Sequence, residues 1–409
     1  MIDLAAAKLA PNLMPNLAPD IAPNFGPSFV QFPPTRAAAL ERIAAIDARA
    51  YARTRNALDG AVTRLSPYIT HGYVSVPDVI ASLHARGVRD QEKIIFELGW
   101  REYWHHVWRH LGDGIFTDQR EPISQAAYAT TIPADILEAR TGVPVIDATV
   151  RTLYSTGYIH NHARMWLASY VVHLRKVAWR GGADWMIAHL LDGDLAANHL
   201  SWQWVAGTFT AKPYLFNDEN VARYAPDLSM RGTAIDRSYA ELDDLARANT
   251  DVGPEPNAPR IGIACPPIGA APPALTAMTV DARGRSVWLI HPWQLGEPPG
   301  GGAQRGELPR DDLCIGYIDT AFHMHHRWSA QRWHWVLTRM RELCSERIIT
   351  DLSAIADAAS VRTVATLNPG YRDLSNGPSI TALPAPRHFA DPPHLARSFS
   401  KWWTAASRA

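Results

Sequence analysis

The sequence predicts a mainly α-helical protein that continues into a small parallel α/β unit. Three observations carry that prediction. Between residues 35 and 225 apolar positions recur at helical spacing, and almost nothing alternates with period two. A Pro/Ala/Gly-rich stretch, DVGPEPNAPRIGIACPPIGAAPPALTA, then interrupts the chain with few core candidates. Beyond it come short apolar runs around one long amphipathic segment, the strand–helix–strand order of a parallel sheet.

Taken in order, residues 1–32 are a Pro/Asn-rich leader with the loose repeat APN, MPN, APD, APN. Each proline disfavours helix in itself and in the residue before it, so an extended segment is expected. Residues 33–240 form the expected helical domain. TRAAALERIAAIDARAYARTRN opens it, with Thr35 as N-cap. Further helices are predicted at 76–87, 90–111 (ended by Gly112), 144–156, 158–179 and 183–206. Loops are expected at SPYITHGYVS, 112–133 and TAKPYLFND. Residues 241–283 read as a linker and 284–409 as the α/β domain. In that domain SVWLIHP, CIGYID, RIITD and VRTVATL are the expected strands, and WSAQRWHWVLTRMREL is the expected helix. No dinucleotide or Walker fingerprint is present, and glycines 300–302 do not open a helix with Lys-Ser/Thr.

Composition narrows the function. Forty basic and forty acidic residues cancel, which excludes a generally cationic nucleic-acid binder but leaves room for a local rim of arginines. Arg55, Arg101 and Arg151 are candidates for phosphate contact. Apolar runs fall short of the ~20 residues of a membrane span, and the start lacks the features of a secretory signal. Cys265, Cys314 and Cys344 are odd in number and widely spaced, so a reducing, cytoplasmic setting without a disulfide framework is expected. A monomer is expected. His105, His106 and His110 share one helix and HMHHR occupies 323–327, but neither gives a third metal ligand at a recognised spacing, so no metal is assigned. Fifteen tryptophans, eight of them between Trp100 and Trp204, mark either a large aromatic core or a site that stacks planar rings or moves electrons.

Polar residues concentrate on helices that should be apolar. Asn161, Arg164 and Met165 fall within one turn. Asp194, Asn198 and Trp202 are spaced i, i+4, i+8, with Asp192 just ahead. Either aspartate alone is explained as a helix cap. Together, an Arg, two Asp and an Asn among Trp, Met and Leu must satisfy one another or a polar ligand. A planar, hydrogen-bonding ligand in aromatic surroundings describes a flavin ring.

The segment TGVPVIDATVRTLYSTGYIHNHARMWLASYVVHL…W…LLDGDLAANHLSWQW resembles the FAD-binding domain of the photolyase/cryptochrome family. TRLSPYITHGYVS resembles that family's phosphate-binding loop, and FELGWREYWHHVW its cofactor- and lesion-contacting helix. The resemblance spans about residues 33–226 and implies an all-helical FAD domain. It implies that Tyr51, Thr63, Arg64, Leu65 and Ser66 hold the FAD ribose and pyrophosphate, and that Arg101 and Asn161 contact the cofactor. Arg164 with Asp192 would lie against the isoalloxazine, Asp194 would accept from a ring N–H, and Asn198 would face N5. Asn at that last position is the tendency of the repair enzymes. Glu97, Trp100 and Met165 match lesion-contacting positions, with Trp100 stacking on an extruded dimer and Glu97 hydrogen-bonding it. His160 and His162 flank Asn161 as candidate proton donors near a lesion, with His162 placed among the lesion-binding residues. Trp202 and Trp179 match the inner members of the tryptophan chain that reduces the flavin.

The sequence also departs from the family. The outermost tryptophan of that chain has no counterpart; Tyr128 is the nearest aromatic, with Trp185 or a tyrosine as alternative routes. The family's amino-terminal antenna domain has no counterpart ahead of residue 33, and GTFTAKPYLFNDENVARYAP alters the downstream motif. The implied function is light-driven, FAD-dependent repair of pyrimidine dimers in DNA. The alternative is a cryptochrome-like blue-light receptor that binds FAD and signals without repair.

Overall fold

The computed structural model describes residues 32–124, 128–228, 230–253, 260–262, 280–298, 313–374 and 380–407. Residues 1–31 of the expected leader, glycines 300–302 and residues 254–259 and 263–279 of the expected linker lie outside them. The chain runs α1 (Arg36–Ala44), α2 (Ala48–Thr54), α3 (Ser66–Thr70), α4 (Val76–Ala85) and α5 (Lys93–Leu111). It continues through β1 (Thr131–Pro133), α6 (Ala134–Leu137), α7 (Pro144–Thr156), α8 (Asn161–Ser169), α9 (Trp179–His189) and α10 (Leu195–Ala206). Then follow α11 (Asp218–Tyr224), α12 (Tyr239–Arg247), β2 (Arg260–Gly262), β3 (Ser286–Ile290) and β4 (Leu313–Tyr317). The last elements are α13 (Thr320–His325), α14 (Ala330–Cys344), β5 (Ile348–Ile349), β6 (Ser360–Val364), β7 (Ile380–Leu383) and α15 (Phe399–Ala406).

The mainly helical architecture with a small parallel sheet is the one the sequence predicts, and Thr35 caps α1 by accepting from Ala38 N. Several details differ. The expected helix 183–206 is two helices, because Leu190 turns extended and Asp194 starts α10 as its N-cap. The expected helix 158–179 becomes α8 and a π-turn at Tyr170–Leu174, a one-residue slip that apolar periodicity does not register. The expected loop SPYITHGYVS begins with α3. Thr131–Pro133 pairs antiparallel with Arg260–Gly262, strands absent from the helical reading. The expected linker opens inside α12, where Ser238 and Glu241 form a capping box and Leu242 and Ala246 are buried.

The compact units also divide differently from the expected 33–240 and 284–409. One contains the described residues within 49–62 and 110–269; the other contains those within 32–48, 63–109 and 270–409. In the first, α7 and α8 bury Val145, Ile146, Leu153, Trp166 and Leu167 in one apolar core. Arg175, fully buried at the end of the π-turn, makes a bidentate pair with buried Asp135 and a second pair with Asp251. In the second unit the sheet order is β5-β4-β3-β6-β7, parallel throughout. Its central strand is a continuous apolar run with Val287 through Ile290 fully buried, as a strand covered on both faces requires. Gly316 admits α14, since a Cβ there would lie 2.7 Å from Met340 Sδ. Of the segment HMHHR, residues 323–325 belong to α13, and buried His323 meets the Tyr371 hydroxyl at 3.0 Å.

Burial holds several imidazoles neutral, with the proton affinity of His173 pushed down to about 4 and that of His189 to about 3. In the unfolded chain a histidine binds its proton near pH 6.5, so below that value the unfolded state holds more protons than the folded one. Stability is therefore lost as the pH falls from about 6.5 toward 4. Thermal melts should give a lower Tm at pH 5 than at pH 7, and a His189→Phe variant should lose part of that dependence. An equal or higher Tm at pH 5 would contradict the burial of these rings.

Candidate functional site

In the helical unit, α8 carries Asn161, His162, Arg164 and Met165 and α10 carries Asn198 and Trp202, with Asp192 and Asp194 just ahead of α10. Arg164, one turn into α8, is aimed by its Nε donating to the Ile159 carbonyl at 2.9 Å. Its terminal nitrogen then donates to both oxygens of Asp192, at 2.7 and 3.0 Å. Asp192 is nearly buried while Arg164 keeps a solvent-facing edge, with side-chain exposures of 3% and 23%. Such a pair fixes a guanidinium plane in orientation while leaving one side for a ligand. Asn161 donates to the Met165 sulfur at 3.8 Å. Asp194 caps α10 by accepting from Ala197 N at 2.8 Å. Asn198, one turn on, donates its amide to the Ala183 carbonyl at 3.0 Å, which directs its own carbonyl oxygen away from α9.

The two tryptophans of the predicted chain differ in their surroundings. Trp202 lies on the backbone of α9 at Gly182, where a Cβ would stand 2.3 Å from two of its ring carbons. Trp179 is 6% exposed, and its indole N–H donates to Asp118 Oδ1 at 2.5 Å. Nearby, His199 bridges the Leu195 carbonyl and Asp184. Burial alone would raise the Asp184 pKa, but His199 and Arg180 hold it below the usual carboxylate range. Trp185, an alternative route, is fully buried and donates to the Tyr154 hydroxyl.

His162 packs its ring on Trp166 and Tyr224, and burial lowers its pKa to about 4. That burial disfavours the imidazolium form of the ring. Tyr51 sits on α2 of this unit. Arg55 and Arg151 donate to the backbone carbonyls of Ala52 and Ala139.

The other unit carries the loop and two of the lesion-facing residues, Glu97 and Trp100. Arg64 adopts φ +51°, and Leu65 follows in right-handed conformation, the backbone alternation from which anion nests are made. Leu65 N donates to the Thr63 hydroxyl, and Ser66 starts α3. Arg101 donates to Thr70 Oγ1 at 2.9 Å, tying α5 to α3. On α5, Glu97 pairs with Lys93 at 2.7 Å. Trp100 is stacked face to face with Phe399 of α15, ring centroids 4.0 Å apart and planes within 7°.

That stack belongs to a larger docking. A Cβ at Gly99 would meet the Trp403 ring at 2.6 Å, and Phe96 meets both Phe399 and Trp403 edge-on. Glu102 accepts from the backbone N–H groups of His388 and Phe389. Both ring nitrogens of His106 are used, Nδ1 on Asp391 and Nε2 accepting from Ala396 N, so the spacing of His106 and His110 is not a metal pair. Among the described residues no three His, Cys, Asp or Glu side chains gather as metal ligands, and no helix is long and apolar enough to cross a membrane.

Asp118, Gly182 and Phe399 are functional candidates that sequence reading missed. Only Gly182 left a signal, as half of a Gly-Gly pair inside an otherwise helical run. The donor set of the helical unit fits the edge of a flavin: a guanidinium, two carboxylates and an amide for a ring that presents N–H and C=O groups. The loop at Arg64 fits a pyrophosphate.

Residues 94–259 match the family model described as the FAD binding domain of DNA photolyase. A deoxyribodipyrimidine photo-lyase of Streptomyces griseus is 33% identical over 214 residues, 48% of this chain and 46% of that protein. The Escherichia coli K12 protein of the same name is 39% identical over 157 residues, 36% of this chain and 32% of its own. A cryptochrome DASH of Idiomarina loihiensis is 33% identical over 192 residues, 43% and 42% of the two chains. The chain thus spans less than half the length of these relatives.

Gly182→Ala adds a methyl group where Trp202 already touches the helix. Helix propensity favours the change by roughly 0.5–1 kcal/mol, but overpacking costs about 1–3 kcal/mol. The net expectation is a lower Tm with a shifted tryptophan emission. A higher Tm with unchanged emission would show that Trp202 does not lie on this glycine.

Proposed function

We propose that this protein repairs pyrimidine dimers in DNA by light-driven electron transfer, a reading supported by the match of residues 94–259 to the FAD binding domain of DNA photolyase and by the photo-lyases it resembles. The observation that carries the reading is the half-buried Arg164–Asp192 pair, one guanidinium nitrogen donating to both carboxylate oxygens, with Asp194 and Asn198 following on the same stretch of chain. Bound FAD supplies, in its reduced and excited form, one electron that splits the dimer and is recovered afterwards. The residues of the chain orient and tune. Arg164, held by Asp192, presents a fixed positive plane to the ring. Asp194 accepts a ring N–H, and Asn198 offers its carbonyl oxygen. Arg101 and Asn161 add cofactor contacts. Tyr51 and the loop Thr63–Ser66 take the ribose and pyrophosphate. Glu97, Trp100 and Met165 take the lesion, where Glu97 stabilises developing charge and Trp100 stacks on an extruded base. His162, packed on Trp166 and Tyr224, stands beside Asn161 as the candidate proton donor to the lesion.

One observation favours a second reading, a blue-light receptor that signals without repair. The face of Trp100 stacked on Phe399 is unavailable to a base until Phe399 leaves. Illumination of the reduced holoprotein with dimer-containing oligonucleotides, scored for restored thymines, separates the two. Repair is expected, and its absence on single- and double-stranded substrate would leave the receptor in front.

Two substitutions refine the assignment. Asp194→Asn keeps an equally good helix cap but weakens a charge-assisted hydrogen bond worth about 1.5–3 kcal/mol. The FAD Kd should rise about 10–100-fold with little change in Tm, and an unchanged Kd would remove Asp194 from the site. Phe399→Ala removes an aromatic pair worth about 0.5–1.5 kcal/mol. Dimer-containing DNA should then bind about 2–10-fold more tightly, whereas equal or weaker binding would mean that Phe399 does not compete with a base.

A further inference from the structure

Trp179 is buried, whereas Asp118, which accepts its indole proton in a 2.5 Å hydrogen bond, is exposed. The two residues help line a cleft of about 410 Å³ that also carries Phe116, Tyr128 and Arg180 in its wall. Where the sequence shows no outer tryptophan, the structure therefore puts a solvent-reaching carboxylate on the last indole of the predicted path. An indole that has lost an electron is a far stronger acid than indole itself. Its proton then needs an acceptor already within hydrogen-bond reach.

We infer that Asp118 is the proton acceptor for an oxidised Trp179, which makes this hydrogen bond the outer end of the electron route. The inference rests on the proposed passage of electrons through Trp179 and Trp202. Once Trp202 has given up an electron, Trp179 refills it and becomes an indole radical cation. The Nε1–H proton crosses to Asp118 Oδ1, leaving a neutral tryptophan radical and a carboxylic acid. Separation of charge is thereby locked, because the electron cannot return to Trp179 without its proton. A dissolved phenolic reductant later gives one electron to the radical, Asp118 returns its proton to Nε1, and the phenol releases its own proton to water. The structural alternative is that Asp118 only satisfies a buried indole N–H.

Transient absorption of the holoprotein after a blue flash decides between them, since cationic and neutral tryptophan radicals absorb differently. In the wild-type protein the neutral radical should appear, and its formation should slow in D2O. In Asp118→Asn the amide oxygen still accepts the hydrogen bond but cannot take the proton. Flavin content and Tm should be retained, the cation should persist, and net photoreduction should fall about tenfold or more. A neutral radical forming at the wild-type rate in Asp118→Asn would overturn the inference. So would a wild-type radical that stays cationic or ignores D2O, a measurement that needs no variant to fold. Trp179→Phe separates the two levels of the argument. If it leaves photoreduction unchanged, the electron route itself fails and the inference falls with it. If it slows photoreduction while Asp118→Asn behaves as wild type, the route stands and only the role of Asp118 is lost.

Discussion

The helical unit is organised about one stretch of chain, residues 161–175, held at both ends by an arginine reaching a buried aspartate. At the far end Arg175 has no exposure at all, yet its three nitrogens are occupied by Asp135 and Asp251. A guanidinium is tolerable there only because each of its nitrogens donates to a carboxylate, and removing one partner of such a set typically costs about 3–5 kcal/mol. The packing around it is equally exacting: a Cβ at Gly253 would come within 2.4 Å of the guanidinium. At the near end Arg164 and Asp192 repeat the arrangement with a quarter of the arginine in view. The difference in burial separates a pair that fastens the fold from one that can also meet a ligand. The candidate site thus inherits its geometry from ionic fastening, with the apolar core of Trp166 and Leu167 supplying cohesion between the two ends.

In the α/β unit the equivalent constraint lies along α5. One face of that helix offers Phe96, Gly99 and Trp100 to α15. Glu102, His106 and Arg109 bind the backbone and carboxylates of the segment before it. Aromatic contact and charge-assisted hydrogen bonds converge on one short tract, so the ring of Trp100 is held more rigidly than a surface indole. The same helix therefore serves two purposes that pull apart: anchoring its own unit and, in the proposed function, receiving a foreign ring.

Much of this was legible in the residues. Helical period, the Thr35 cap and the buried strand 287–290 are local signals, and they led to the right elements. The Arg164–Asp192 pairing followed from the resemblance, and a cap at Asp194 from its place at a helix start. What escaped depends on distance along the chain. The break before Asp194 competes with an uninterrupted apolar period, and the π-turn shifts that period by only one residue. The association of 63–109 with residues beyond 280 rests on pairs such as Glu102 with His388, which no window of sequence contains. Asp118 lay in an expected loop, where an aspartate needs no explanation, and Phe399 in a stretch to which no element was assigned.

The separation of Glu102 from His388, 286 residues, carries a consequence for biosynthesis. Helix α5 is translated early, but the segment that covers its aromatic face comes near the end of this sequence. At the usual 5–20 residues per second the wait is about 15–60 s. Throughout it Phe96, Trp100 and Tyr103 lack their partners on α15, and the long loop must close before either helix is rewarded. A nascent chain paused in that interval displays a sticky indole-rich helix, the kind of surface that chaperones recognise, so the tract that makes the finished unit rigid also makes its birth slow.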